Sequence, residues 1–362
     1  MIGSWFALPL AALVAADPAA AAAPEAAGPA TALVPYAGLA MTFLFVLWTT
    51  SGLCGPMARL ATRVGLVDRP APRKAHAAPT PLLGGLAIHG PLLAALGGWA
   101  LWGLGALAPV LAAAALLLVA GLWDDRRGLG VAVKLGVQLA ASGALVMAGV
   151  RLGLPFLPSM LEPVATLLWL VAITNAVNLL DNLDGLAASV VGASALGILT
   201  CGLRLEMPVA VVVGALLAAA CAGFLRHNAP PAKLFMGDAG SLPLGLLTGF
   251  GVCALTPDAG AIGSAPSSSA WPLAMALLLA AVPLLDTSTV VIARLRRGVN
   301  PLTTPGTDHL SHRLARRAIR RRDAEVAGAS DPLGSAGAVA ALGLLQMTAS
   351  LLAVVVVYAV AG

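Results

Sequence analysis

The chain has 362 residues, of which 59% are hydrophobic and 10% are charged. This composition excludes an ordinary soluble domain, in which about a quarter of the residues are charged. We expect so apolar a chain to lie in a lipid bilayer, with no nucleic acid partner. The four cysteines lie in or beside apolar segments without CxxC spacing, which favours neither a disulfide framework nor a zinc site.

Apolar segments close to the ~20 residues that span a bilayer recur along the chain. They lie at about 31–53, 84–105, 106–122, 132–150, 161–179, 185–203, 207–225, 239–256, 271–292 and 335–361. We predict an all-α polytopic membrane protein with about ten transmembrane helices, forming one transmembrane domain over residues 31–362. Residues 1–30 are a poor match to a signal peptide, and we interpret them as a flexible leader or a marginal extra helix.

The basic residues set the expected orientation of these spans. Nineteen of the 21 Lys and Arg lie in loops that ten alternating spans would place on one side of the membrane. By the positive-inside rule that side is the cytoplasm, although most of these side chains could serve topology alone. The loops expected on this side cover about 54–83, 123–131, 180–184, 226–238 and 293–334.

Carboxylates interrupt the apolar pattern in the stretch TNAVNLLDNLDG. On a helix Thr174, Asn178 and Asp181 share one face. Asp184 follows one turn later, and Gly185 is available as a terminator. An acid at a bilayer centre costs roughly 2.5–3.5 kcal/mol on insertion scales, so this face should line a protein interior or a wet cleft. The alternative is hydrogen bonding between helices, for which Ser, Thr or Asn is more usual than Asp.

Two further motifs place acids at predicted cytoplasmic helix ends. The adjacent Asp124 and Asp125 could hold a hard cation or orient a lysine, and the alternative is a solvated helix end. In RHNAPPAKLFMGDAGS, Asp238 lies between glycines just before an apolar helix, so that a ligand can approach closely. Phe235 precedes it by three residues and could offer a flat face to a base.

The last large loop carries GTDHLSHRL, with His309 and His312 one helical turn apart. Paired histidines could ligate zinc, but no third ligand stands at metal-site spacing. Donation of hydrogen bonds to phosphate fits the surrounding arginines better. Asp286, at the end of the ninth apolar segment, has no role that the sequence alone assigns.

Five motifs occur in order in alternate loops: DRPAPRKAHAAPTPLLGG, GLWDDRRGL, TNAVNLLDNLDG, RHNAPPAKLFMGDAGS and DHLSHRL. Together they resemble the polyprenyl-phosphate N-acetylhexosamine-1-phosphate transferases of glycosyltransferase family 4, over about residues 31–356. The resemblance implies a bacterial inner-membrane enzyme whose active site is a cleft at the cytoplasmic face. It also implies transfer of a sugar-1-phosphate from a UDP-N-acetylhexosamine to undecaprenyl phosphate, with release of UMP. Mg2+, or Mn2+ in its place, is the implied cofactor, and a homodimer is compatible with it.

The resemblance also implies roles for individual residues. Asp238 matches the magnesium ligand, with Asp181 in the same metal-binding and catalytic cluster. Asp124 and Asp125 match paired aspartates that act on the lipid phosphate as a base or as orienting groups. Positions matching the binding of nucleotide, lipid phosphate or sugar are Lys74, Lys134, Asn178, Asp184, Asn228, Phe235 and Arg313.

The histidine motif indicates the donor sugar. His309 and His312 match catalytic positions near the diphosphate and the sugar. The branch of the family that uses UDP-muramyl-pentapeptide has adjacent histidines followed by an acid, whereas this pair is spaced and is followed by Arg313. We therefore expect transfer of N-acetylglucosamine-1-phosphate, the first membrane step of a surface polysaccharide. A phospho-muramoyl-pentapeptide transferase of peptidoglycan synthesis is the alternative within the family.

Two alternatives from other classes stay open. Transporters also carry intramembrane acids, but here the acids cluster at predicted cytoplasmic ends and the two halves of the chain do not match. An inactive scaffold with the same fold is kept open by Asn182, because the family usually has Gly between these two aspartates.

Overall fold

The computed structural model describes residues 36–68, 79–256, 271–300, 306, 308–315 and 332–361. Each predicted apolar segment contains a helix, and the ninth contains two. The helices are α1 (Tyr36–Arg63), α2 (Gly84–Leu101), α3 (Leu107–Arg127), α4 (Val131–Met147), α5 (Glu162–Leu180), α6 (Leu186–Arg204), α7 (Pro208–Asn228), α8 (Gly237–Cys253), α9 (Trp271–Leu279), α10 (Ala281–Arg296) and α11 (Pro332–Ala361). The predicted leader at 1–30 and the predicted ligand Lys74 lie outside the described residues.

By length and composition, seven of the described helices are candidate membrane spans, and α9 with α10 would form an eighth. Apolar side chains in the middle of these helices are exposed, among them Val119 and Leu168, each at 62%. A bilayer accepts such rows, whereas water does not. The chain is an all-α polytopic membrane protein, as predicted. Because α4 and α8 are short for a span at 17 residues each, the count of ten spans stays a prediction.

The helices α6 and α7 form the centre of the bundle, where 83% of the residues in each apolar stretch are buried. Both sequences are rich in Ala and Gly. Small side chains let the backbones of neighbouring helices approach closely, which is how helices associate when lipid is as apolar as their own surfaces. The outer helices keep one side against this centre and the other toward lipid.

The helix ends converge in an alternating way. Lys134 at the start of α4 contacts Asp124 at the end of α3, and the backbone N–H of Gly185, just before α6, bonds to Asn228 at the end of α7. Thus α3, α5 and α7 end on the side where α2, α4, α6 and α8 begin. The polar motifs that are far apart in the sequence therefore meet at one end of the bundle.

The turn between α5 and α6 lies where a loop was predicted, at about 180–184. The helical face expected to include Asp181 stops before this residue, because α5 ends at Leu180. The backbone N–H of Asn182 donates to the carbonyl of Leu180 at 2.8 Å, which closes a tight turn in place of helical bonding. Gly185 has a φ of 75°, a left-handed conformation that favours glycine, and α6 begins directly after it. Asp181 and Asp184 thus lie in the turn between the two helices and not on a helix face.

A short hairpin closes the same end of the bundle. The strands β1 (Val67–Asp68) and β2 (Thr80–Pro81) pair antiparallel. The backbone N–H of Phe235 donates to Pro81 at 2.9 Å, and the carbonyl of Phe235 accepts the N–H of Gly84 at 2.9 Å. The first basic loop is therefore anchored to the segment that leads into α8.

The ninth segment is bent by 78° between α9 and α10. A break in a helix inside a membrane frees backbone groups that need partners. Gln346 of α11 supplies them, since its side-chain oxygen accepts the N–H of Val282 at 2.9 Å and its amide donates to the carbonyl of Leu279 at 2.9 Å. The bend is thereby a fixed feature, and it redirects α10 toward the last polar loop.

Candidate active site

Lys134 lies between Asp124, a predicted catalytic acid, and Asp238, the predicted metal ligand. Its ammonium group is 3.1 Å from Asp124 Oδ2 and also pairs with Asp238 Oδ2. The backbone N–H of Leu129 donates to the other oxygen of Asp124. Charge-assisted contacts of this kind fix both partners strongly. Lys134 therefore joins the ends of α3, α4 and α8, which are far apart in the sequence or separated by a loop.

Asp125 serves as the cap of α8. Its two oxygens accept the backbone N–H groups of Asp238 at 2.8 Å and Ala239 at 3.1 Å. These N–H groups have no partner within their own helix, and a carboxylate at a helix N-terminus is favoured by the helix dipole. No side chain of the residue preceding α8 provides a cap. Asp125 therefore holds the backbone that carries Asp238.

The start of α8 approaches α2 and α3 so closely that only glycine fits opposite it. A Cβ at Gly85 would lie 2.5 Å from the backbone nitrogen of Gly240, and one at Gly121 would lie 2.5 Å from the carbonyl carbon of Asp238. His89 of α2 is fully buried and its Nε2 is 2.9 Å from the carbonyl of Gly240. These contacts fix the position of the first turn of α8 relative to the rest of the site.

Asn178 orients the Asp238 side chain. Its Nδ2 donates to Asp238 Oδ1 at 2.7 Å and to Ser241 Oγ at 2.8 Å. Both oxygens of Asp238 therefore have a defined partner, Asn178 on one side and Lys134 on the other. The predicted polar face of α5 thus points at α8, while Thr174 on the same face is buried and donates to the carbonyl of Leu170 in its own helix.

The turn after α5 brings further negative charge to this cluster. Burial, reinforced by the charges of Asp238, Asp125 and Asp184, raises the pKa of the Asp181 carboxyl to about 8. Several carboxylates that share a confined region repel one another, and a cation relieves that repulsion. Such a cluster is chemically suited to a divalent metal.

The acids fit Mg2+ in a particular way. In the part of the chain that the structure describes, no three His, Cys, Asp or Glu side chains form a metal-binding group. Mg2+ is commonly held by one or two carboxylates together with substrate phosphates and water, so a complete protein cage is unnecessary. Asp238 and Asp181 could supply the protein's share of such a site.

Asn228 and Asp184 brace the loop that precedes α8. Asn228 is buried, and its amide accepts the N–H of Gly185 at 3.0 Å and donates to the carbonyl of Leu234 at 2.9 Å. Asp184 Oδ2 accepts the N–H of Ala232 at 2.8 Å. These contacts give both side chains a positioning role. Their predicted contact with nucleotide stays a prediction.

A second polar group is centred on His309. Its Nδ1 lies 2.7 Å from Asp286 Oδ2, and the other oxygen of Asp286 accepts the N–H of Leu310 at 2.6 Å. Asp286 is fully buried in α10. A carboxylate on one imidazole nitrogen fixes the ring orientation and leaves the second nitrogen for a ligand. The ring of His312 lies edge-on to that of His309, with centroids 6.1 Å apart.

Arginines flank this histidine segment, by which we mean residues 308–315. Arg297 donates to Asp308 Oδ2 at 2.5 Å, and this bond holds the pKa of the Asp308 carboxyl below its usual range. Arg296, Arg297 and Arg313 line an open groove of 530 Å³ beside it. The predicted sugar ligand Arg313 is thus in a basic groove, next to the histidines and separate from the carboxylates of α3 and α8.

An apolar crevice lies apart from the carboxylate cluster. A crevice of 590 Å³ is lined by Trp99, Trp102 and other apolar residues of α1 and α2. It contains no acid or base and does not include the carboxylate cluster. The predicted cleft at the cytoplasmic face therefore stays a prediction, and the acids and their partners define the candidate site.

Comparisons with known proteins identify the family of this chain. The family model described as Glycosyl transferase family 4 matches residues 107–256, from the start of α3 to just beyond α8. A decaprenyl-phosphate N-acetylglucosaminephosphotransferase of Mycolicibacterium smegmatis is 35% identical over 319 residues, covering 78% of this chain and 76% of that protein. The chain belongs to glycosyl transferase family 4.

Other members of this family are similar over the same extent. The protein with the same description from Mycobacterium tuberculosis is 34% identical, covering 78% of this chain and 76% of its own length. An undecaprenyl-phosphate alpha-N-acetylglucosaminyl 1-phosphate transferase of Yersinia pestis is 30% identical, covering 79% and 76%. The family membership predicted from the five motifs is confirmed.

The structure brings together several of the side chains that the sequence motifs predicted for the site of this family 4 transferase. Hydrogen bonds link Asp124, Lys134, Asn178 and Asp238 directly. The charge of Asp238 also acts on the nearby carboxyl of Asp181. The catalytic and binding roles assigned to them stay predictions. Phe235 is half-buried at the entry to α8, and its backbone is paired with the hairpin.

Other contributors were missed or left without a role. Asp286 orients His309, but 23 residues separate the two and no spacing rule connects them. Ser241 accepts the second hydrogen bond of the Asn178 amide. The sequence signal for it was its position one helical turn after Gly237, to whose carbonyl its hydroxyl donates. Gly121 carries no sequence signal of its own, and its lack of a side chain lets α8 approach α3 closely.

Proposed function

We propose that this chain transfers N-acetylglucosamine-1-phosphate from UDP-N-acetylglucosamine to undecaprenyl phosphate and releases UMP. The observation that carries the proposal is the convergence of Asp124, Lys134, Asn178 and Asp238 from four helices at one end of a membrane bundle. A phosphoryl transfer between a lipid and a soluble nucleotide requires such a place, with charge balanced for anionic phosphates. The three relatives described above carry names for this type of reaction with polyprenyl phosphates.

In the proposed reaction an oxygen of the lipid phosphate attacks the sugar-bearing phosphorus of the UDP-sugar. The bond from that phosphorus to the bridging oxygen breaks, and UMP leaves with the bond's electrons. Lys134 would attract the lipid phosphate and is itself held by Asp124. Asp124 would orient that phosphate or take its remaining proton, and Asp125 would keep the first turn of α8 in place.

Mg2+ is the proposed cofactor, held by Asp238 and Asp181 with the phosphates of the substrate. When bound it would neutralise charge that develops on the diphosphate oxygens. The remaining catalytic work falls to the chain itself. His309, oriented by Asp286, and the nearby His312 and Arg313 would donate hydrogen bonds to the diphosphate and the sugar.

The spaced histidine pair favours the N-acetylglucosamine donor over the muramyl-pentapeptide donor. A compact hexosamine needs only a few hydrogen-bond donors, whereas a peptide-bearing sugar would need more room among the histidines and arginines. We place the chain in the bacterial inner membrane with this site toward the cytoplasm, because the basic loops lie at the same end. A homodimer is compatible with this function and is not required by it.

The test is turnover by purified protein. The protein in detergent is incubated with Mg2+, undecaprenyl phosphate and one UDP-sugar at a time, including UDP-N-acetylglucosamine, UDP-N-acetylgalactosamine and UDP-muramyl-pentapeptide. We expect UMP release and a lipid diphosphate N-acetylhexosamine by mass spectrometry. Product from the muramyl-pentapeptide donor alone would reject the donor assignment. Absence of UMP release with every donor would favour a transporter or an inactive scaffold.

A further inference from the structure

The histidine segment is fastened to α10 as one unit. Asp286 accepts hydrogen bonds from the backbone of Leu310 at 2.6 Å and contacts His309 at 2.7 Å. At the other end of α10, Arg297 bonds to Asp308 at 2.5 Å. Three consecutive residues of the segment are therefore held by side chains from α10 or just after it. These contacts hold the segment on α10, which in turn packs against α5.

A different contact joins this unit to the acidic turn. The hydroxyl of Ser311 donates to Asn182 Oδ1 at 2.7 Å. Asn182 stands next to Asp181 in the sequence, and Ser311 stands two residues after His309. One hydrogen bond therefore connects the metal-side turn to the segment that carries the histidines.

The geometry of Asn182 suits this connection. Its Nδ2 donates to the carbonyl of Leu179 at 2.8 Å, so the amide oxygen is turned toward Ser311. The Ser311 side chain is fully buried, so its hydroxyl would lose a partner without Asn182, and an unpartnered buried hydroxyl is costly. The orientation of the acceptor and the burial of the donor therefore both favour this hydrogen bond.

Apolar contacts surround this hydrogen bond but do not fix how the histidine segment lies along the turn. Leu180 and Leu183 of the turn pack in one cluster with Ala315, and Leu310 and Leu314 pack against it. Such packing is not directional, so it holds the two parts together without fixing how one lies along the other. The hydrogen bond from Ser311 to Asn182 adds a directional constraint to this packing.

We propose that Asn182 is a positioning residue which, through Ser311, sets the place of His309 relative to Asp181. This inference rests on the proposed function, because it assumes that the two residues act on one bound UDP-sugar. A glycine at this position would offer Ser311 no side-chain acceptor. Asn182, where the family usually has Gly, therefore supplies a contact of its own.

The test compares Asn182→Ala, Ser311→Ala and the double variant in the purified, full-length protein. Loss of one neutral hydrogen bond predicts a rise in the KM for UDP-N-acetylglucosamine of about two- to twelvefold. We expect the KM for undecaprenyl phosphate to stay unchanged, and the double variant to be no worse than either single variant. Ser194→Ala is the control, because that buried serine donates within α6, to the carbonyl of Val190 at 3.1 Å.

A second measurement does not depend on turnover. Hydrogen exchange at the backbone amides of residues 309–315 should be faster in Asn182→Ala than in the wild type, with exchange in α6 unchanged. If that variant does not fold, Ser311→Ala breaks the same bond from the other side.

The outcomes separate the two proposals. An active wild type whose variants show unchanged exchange, or a loss of activity with both KM values unchanged, overturns the positioning role. A wild type that releases no UMP, but whose segment exchanges faster after Asn182→Ala, rejects the proposed function and retains the role of Asn182 in placing the segment.

Discussion

At the scale of single residues, the site depends on the partners of Asp238. Its carboxylate is held by the amide of Asn178 at 2.7 Å and by the ammonium of Lys134. Both contacts orient the oxygens, and neither encloses them, since the Asp238 side chain is 21% exposed. A substrate-bound cation could therefore reach this carboxylate without rearrangement of the backbone.

The first prediction concerns this carboxylate. Asp238→Asn keeps the size of the side chain but removes its negative charge, and we expect turnover to fall at least about a hundredfold with the protein still folded. Glu206→Gln is the matched control, because Glu206 is exposed at the opposite end of the bundle. UMP release and the melting temperature are measured for both. Wild-type turnover in Asp238→Asn would remove this residue from the metal site.

The second prediction is metal removal. If Asp238 and Asp181 hold Mg2+ with the substrate phosphates, EDTA should abolish turnover, and added Mg2+ or Mn2+ should restore it. The measurement is UMP release before chelation, after chelation and after each metal is returned. Full activity in excess chelator would contradict the cofactor assignment.

The third prediction concerns the base. Stacking of uracil on Phe235 would contribute roughly 1–3 kcal/mol, so Phe235→Ala should raise the KM for the UDP-sugar about ten- to hundredfold. Its backbone bonds to the hairpin do not involve the ring and should persist. Phe156→Ala is the control, because that ring is 49% exposed beyond the end of α4. An unchanged KM in Phe235→Ala would assign the ring to packing.

At the scale of helices, the first turn of α8 is placed by contacts from α2 and α3. Asp125 caps its N–H groups, Gly85 and Gly121 admit its backbone, and His89 contacts the carbonyl of Gly240. Residues outside the predicted metal site thus decide where Asp238 stands. A catalytic carboxylate needs this support, because a misplacement of about 1 Å can cost a hundredfold in rate.

The fourth prediction tests this support. In Gly121→Ala the new methyl group would overlap the backbone of Asp238 and Ala239, so α8 must shift. We expect a loss of turnover of at least about tenfold together with a lower melting temperature. Gly136→Ala in α4 is the control, because a Cβ there meets nothing within 4 Å. Equal activity of the two variants would show that α8 tolerates displacement.

At the scale of the whole molecule, the charged motifs and the acids share one end of the bundle. Lys134, Arg226 and Lys233 belong to this end, as do the carboxylates of α3 and α8. Arg151 lies toward the other end, between α4 and α5, where its guanidinium donates to the carbonyl of Val146 at 2.7 Å. The distribution of charge therefore predicts which end faces the cytoplasm.

The fifth prediction tests that orientation by cysteine labelling in sealed vesicles. Lys233→Cys, at an exposed position near the site, should react only with reagent on the cytoplasmic side. Met160→Cys, 79% exposed at the opposite end, should react only from outside. The native cysteines are buried and should give little background. The reverse pattern would place the candidate site in the wrong compartment for a soluble UDP-sugar.

Much of the fold was determined by the sequence alone. A backbone in lipid must bond internally, so apolar segments of sufficient length become helices, and helices occur in each predicted segment. The placement of Asp124, Asp181 and Asp238 at alternate segment ends was enough to predict that they share one side. Length and charge carry this information because they act on each segment separately.

Other features were decided only by tertiary structure. The 78° bend before α10 and the pairing of Asp286 with His309 each depend on atoms from distant parts of the chain. Asn228 was predicted from its motif as a substrate ligand, yet its amide is engaged with two backbone groups. A buried polar group takes whichever partner the folded chain brings within hydrogen-bonding distance, and that partner cannot be read from local spacing.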